Sequence, residues 1–110
     1  MKLPNADRAV VEMMKLTDYC LHPLHPRGRH KARVFKSALG FGQKDAEFLK
    51  TLLLRAVREG EAHETEKDEF GQRYIIDIEM AGPSGQAIVR SSWIILSGDT
   101  IPRFVSCYVK

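Results

Sequence analysis

A chain of 110 residues, 44% of them hydrophobic and 28% charged, has the size and composition of one folded domain around one core, not of a disordered chain. The longest apolar runs, such as WIIL at 93–96, are too short to cross a bilayer, and the opening MKLPNADR lacks the apolar stretch of a signal peptide; two cysteines, Cys20 and Cys107, make no disulfide framework. Seventeen Lys/Arg against fourteen Asp/Glu leave a net charge of +3, which by itself points only weakly to an anionic partner.

The segment RAVVEMMKLTDYCL brings Val11, Met14 and Leu21 near helical spacing, with Leu16 and Tyr19 flanking, and predicts a helix from about Glu12 to Leu21. HPLHPRG stops it, because two prolines and a glycine forbid continuation. A second helix is expected from about Arg29 to Leu39, with Ala32, Phe35, Ala38 and Leu39 on its buried side and Gly40 as its stop. GQKDAEFLKTLLLRAVREG carries the clearest helical stripe, Ala46, Leu49, Leu53, Ala56 and Val57, ended by Gly60.

From Glu61 the period changes to two, and the turn signals FGQ, GPSG and SGD divide the remainder into four strands. Tyr74, Ile76, Ile78 and Met80 should share one face of the second strand, and Ala87, Val89, Ser91, Trp93 and Ile95 one face of the third. In RFVSCYVK, strict alternation separates Arg103, Val105, Cys107 and Val109 from Phe104, Ser106 and Tyr108. The expected fold is α+β, N-terminal helices packed on a four-stranded antiparallel β-meander, as a single domain over residues 1–110.

Charge is not evenly spread. Between His22 and Ser37 lie Arg27, Arg29, Lys31, Arg33 and Lys36 with no acid, whereas EAHETEKDE at 61–69 holds five acids and one lysine. A ligand phosphate would be steered to the histidine-rich segment, and the start of the second helix suits an anion. Polar residues that interrupt apolar strands must face water, a partner or a site, and Arg90, Ser92, Ser106 and Tyr108 on neighbouring strands form one such set. Arg90 can alternatively pair with Asp77 or Glu79 across the strands.

LPNADRAV, HPRGRHKA, GPSG…VR…W and the closing PR…Y, in this order, make the chain similar to a small uncharacterised bacterial domain seen at the C-terminus of polymorphic toxins and of phage head-morphogenesis proteins. In layout it also resembles, more distantly, the metal-independent ribonuclease toxins of the barnase, colicin nuclease and RelE kind. The resemblance implies an effector acting in the cytoplasm, delivered into a target cell when fused to a larger toxin, and a cognate immunity or antitoxin protein as partner. It carries over to His25, Arg27, His30, Lys31, Arg90, Arg103 and Ser106. Cys20 and His22 stand where Ala and Asn are usual, and SSW at 91–93 replaces Thr-Gly-Trp.

Other chemistries fit less well. Cys20, His22, His25 and His30 follow C-x-H-x2-H-x4-H, which matches no common zinc spacing. One glycine in HPRGRHK is no phosphate cradle. Cys107 on an apolar strand face is a buried small residue, not a nucleophile. Asp77 and Glu79 do not form the carboxylate pair of a glycosidase.

Metal-free RNA cleavage needs a base for the ribose 2′-proton, an acid for the leaving oxygen and cationic donors for the phosphate. His30, Lys31, Arg90 and Ser106 are the expected catalytic set, with His25, Arg27, Arg29, Arg103 and Tyr108 holding substrate and neither metal nor cofactor required. The expected function is thus a metal-independent endoribonuclease toxin with RNA as substrate and no membrane partner. A non-catalytic module that binds nucleic acid or protein through the same basic corner is the alternative, and a nucleotide-processing enzyme is a third reading.

Overall fold

Alternation of β-branched and polar residues in the C-terminal half produces the sheet, which the computed structural model, describing residues 1–110, shows as β1 (Ala62–Lys67), β2 (Gly71–Gly82), β3 (Gly85–Leu96) and β4 (Arg103–Val109). All neighbours are antiparallel and follow in chain order. Before them come α1 (Arg29–Leu39) and α2 (Ala46–Glu59), packed mainly on β2, β3 and β4. The fold is α+β, helices followed by a four-stranded antiparallel meander.

The two helices begin and end where turn residues dictate. Buried positions in α2 are Ala46, Leu49, Leu53, Ala56 and Val57, the whole of the expected stripe. Helix α1 buries Ala32, Phe35 and Leu39, and Gly40 ends it in the left-handed conformation at φ 78°, where a side chain would be strained.

The expected helix at Glu12–Leu21 is corrected to a single π-wound turn at Leu16–Cys20, in which the Leu21 N–H bonds to the Leu16 carbonyl at 2.9 Å. The buried residues here are Val11, Leu16, Cys20 and Leu21, so Val11, Leu16 and Leu21 recur every fifth position. A 3.6-residue wheel misses that period and puts Met14 inside, whereas Met14 is 67% exposed.

Strand β2 buries Tyr74, Ile76 and Met80, and β3 buries Val89, Ser91 and Trp93. Buried Ser91 is satisfied on both sides: the Trp93 Nε1–H donates to its Oγ at 2.8 Å, and that hydroxyl donates to the Ile76 carbonyl at 2.9 Å. Trp93 lies edge-on to Phe104, with ring centroids 5.5 Å apart, at the centre of the core.

Strand β4 departs from strict alternation. Ser92 opposes Ser106 but Trp93 opposes Phe104, so Val105 is an extra residue, a β-bulge. Phe104 and Cys107, three residues apart, therefore both reach the core, and the expected grouping of Val105 with Cys107 does not hold.

Candidate functional site

The loop before α1 is built by its own histidines. His22 Nδ1 accepts the Leu24 N–H at 3.1 Å, and His25 Nδ1 accepts those of Arg27 and Gly28 at 3.0 and 2.9 Å. The Arg29 N–H goes to the His25 carbonyl at 2.9 Å. The first N–H of α1, that of Arg29, is thus bonded within the loop, and the His25 side chain closes the turn that leads into the helix. A Cβ at Gly28 would overlap the Tyr19 carbonyl, so only glycine lets this loop close onto the π-turn.

That closure brings Tyr19 to Lys31. The Lys31 ammonium donates to Tyr19 Oη and to Ser106 Oγ, each at 3.1 Å, and lies 4.8 Å from the Tyr19 ring centroid. His25 packs edge-on to the same ring, with centroids 4.9 Å apart. Behind Ser106, Cys20 Sγ lies 3.7 Å from its hydroxyl. Lys31 is half-buried, yet no carboxylate pairs with it in any of the ion pairs of the structure.

The buried thiols respond to this surrounding. A hydrogen bond from Cys107, helped by Ser106 and the positive charge of Lys31, draws Cys20 down to about 6 against the opposing pull of burial. Cys107 moves the opposite way, raised by the same bond and then by its own burial. Both cysteines are free.

Beside Lys31 opens a groove of about 370 Å³ lined by His30, Lys31, Val34, Tyr108 and Val109. His30 is exposed at its mouth, and its Nδ1 is 3.2 Å from Arg33 Nη2. A guanidinium only donates, so neutral His30 accepts on Nδ1 and carries its proton on Nε2. The groove thus joins an imidazole, an ammonium and a phenol without any acid.

The remaining expected site residues lie apart. Arg90 faces Tyr108 in register, but its Nε and Nη2 donate to both Asp77 carboxylate oxygens at 2.9 and 3.0 Å, and Lys110 adds a contact to Asp77 at 3.3 Å. The Arg90 side chain, first through its hydrogen bonds, holds the Asp77 carboxyl below its ordinary value. Arg103 sits toward the other end of β4, 3.5 Å from Asp99 and bridged to Val10. Arg27 is exposed in the loop, and the Arg29 Nη1 bonds to the Pro26 carbonyl at 3.1 Å.

The structure therefore unites His30, Lys31, Ser106 and Tyr108, and adds Tyr19 and Cys20, which the sequence did not mark as site residues. Only Gly28 hints at them, as the one glycine in a loop otherwise rich in proline and bulky residues.

Residues 2–110 match the profile of a family described as Domain of unknown function (DUF6883). Among curated proteins none matches. One solved structure similar in fold is a chain of the contact-dependent growth inhibition toxin–immunity protein complex from Klebsiella pneumoniae 342. It is 18% identical with a TM-score of 0.69, over 92% of this chain and 99% of that one.

Proposed function

The chain belongs to this domain family of unknown function, and from that premise we propose that it is a bacterial toxin domain that cleaves RNA without metal, in the cytoplasm, restrained by a cognate immunity protein. The carboxylate-free ammonium of Lys31, fixed between Tyr19 and Ser106 beside His30, carries this reading. A half-buried cation without a counter-charge attracts a phosphate far more strongly than one already paired. The likeness to a chain from a toxin–immunity complex lends support to both the toxin and its partner.

The chemistry follows from the groups present. A phosphate entering the groove meets Lys31 and the Ser106 hydroxyl and draws Arg33 off His30. Nδ1 is then free to take the ribose 2′-proton as the 2′-oxygen attacks phosphorus. The bond from phosphorus to the 5′-oxygen breaks, that oxygen takes a proton from solvent water at the exposed His30 side of the groove, and the products are a 2′,3′-cyclic phosphate and a 5′-hydroxyl. Lys31 stabilises the charge gathering on the phosphate oxygens. Tyr108 borders the substrate, and Arg90 behind it would have to be won from Asp77 to reach a phosphate.

The test is direct. Total bacterial RNA incubated with the folded protein in EDTA is expected to yield ends in 2′,3′-cyclic phosphate, and induced expression should halt growth unless His30→Ala is present. Intact RNA at micromolar protein would sink the catalytic reading in favour of the non-catalytic binding module.

A further inference from the structure

The groove occupies one side of α1, and a larger cleft of about 540 Å³ occupies another. Its walls carry Arg29, Arg33, Lys36 and Ser37, and its floor includes Leu21 and Phe41. No acidic side chain lines it. Arg29, Arg33 and Lys36 follow i, i+4, i+7 and so make a row of charge about 10 Å long on one helix face, not a single point. Like charges at this spacing repel one another along a helix face. None of the three enters an ion pair that would cancel its charge.

The cleft and the groove are joined. Arg33 lines the cleft while its Nη2 holds His30, which lines the groove. A chain of phosphates that placed one phosphate at Lys31 would have its neighbours led across Arg33 toward Arg29 and Lys36. An acidic protein would find the same charge, but this continuity with the groove favours a polyanion that occupies both.

We propose that the Arg29–Arg33–Lys36 cleft is a phosphate-binding subsite for the single-stranded RNA flanking the cleaved bond. It rests on the ribonuclease reading, and names Arg33 and Lys36 as substrate contacts in addition to Arg29. The row holds the strand by charge and makes no base-specific contact, while Leu21 and Phe41 beneath it stay buried in the core.

The probe is a 2′-O-methyl oligonucleotide of about twelve residues, which binds but lacks the attacking hydroxyl, titrated by fluorescence anisotropy at several salt concentrations in EDTA. Arg29→Ala/Lys36→Ala leaves the Arg33–His30 bond in place, and both side chains are exposed, so its melting temperature checks that it folds. The expected result is affinity lower by about tenfold or more at low salt and a salt slope reduced by about 0.7 for each lost phosphate contact. Wild-type affinity and slope in the folded double variant would overturn the subsite, as would loss of poly-glutamate binding alone, which would assign the cleft to an acidic protein. Tight binding that depends on the cleft, in a protein that cleaves no RNA, would leave the subsite standing and remove the ribonuclease reading instead.

Discussion

Lys31 and Arg90 are both cations on the path from α1 to the last two strands, yet their surroundings are opposite. Arg90 has both oxygens of Asp77, with Lys110 crowding the same carboxylate. Lys31 has only a phenol and a hydroxyl, neutral groups that hold it in place without cancelling its charge. A paired cation at the surface ties two strands together, while an unpaired one in a half-buried position is available to an anion. Sequence alone offers Asp77 or Glu79 as a cross-strand partner for Arg90 but does not decide whether the pair forms, and it leaves both cations in the expected catalytic set.

The sharpest way to break this contrast is to remove each cation in turn and compare. Lys31→Met keeps the aliphatic stem and should lower the maximal rate of RNA cleavage by about 100-fold or more, the usual worth of one preorganised donor. Arg90→Ala should cost less than that at saturating RNA, since Asp77 already occupies the guanidinium. Equal losses in single-turnover kinetics would place Arg90 on the phosphate and erase the distinction.

A second intervention acts on the architecture behind Lys31. Gly28→Ala forces a methyl group into the Tyr19 carbonyl, so the loop or the π-turn must move, at an expected cost of about 2 kcal/mol in denaturant unfolding. Activity should fall beyond what the lost stability explains, because Tyr19 would no longer steady the ammonium. A variant as stable and as active as the wild type would show that the loop does not set the site.

The smallest effect is expected on the sheet face. Asp77 titrates below its ordinary value when folded, so its pairing stabilises the protein above the usual aspartate range and that contribution is lost as pH falls below about 4. For a pair one-third exposed the effect is about 1 kcal/mol or less. Asp77→Asn should flatten the acid limb of the stability curve by that amount and leave the neutral region of the rate profile in place. An unchanged acid limb in Asp77→Asn would show the ion pair contributes nothing measurable.

Much of the fold was legible because its signals are local and regular. Two prolines and Gly28 set the start of α1, Gly40 set its end, and the apolar stripe of α2 matched the buried residues at every position. Legibility failed where the chain adds one residue to a regular element: the π-turn hides behind a five-residue period, and the bulge at Val105 reverses the faces of β4 partway along. Of the site, His30, Lys31 and Ser106 stood out as charge and polarity against an apolar pattern. Tyr19 and Cys20 did not, since Tyr19 only flanks a helical stripe and Cys20 belongs to a spacing unsuited to zinc, and their approach to Lys31 is made across a loop.

The π-turn and the bulge have in common that Tyr19 lies within the one and Ser106 directly follows the extra residue of the other, and these are the two side chains that hold Lys31. Both features differ from a regular helix turn and a regular strand by a single inserted residue. A change in chain length, and not only one in side-chain identity, can accordingly make or unmake such a site. A library of single-codon deletions through 14–21 and 103–108 should contain folded but inactive variants in which Tyr19 and Ser106 are both still present but no longer meet Lys31, and lineages that lost the activity would be expected to carry gaps there.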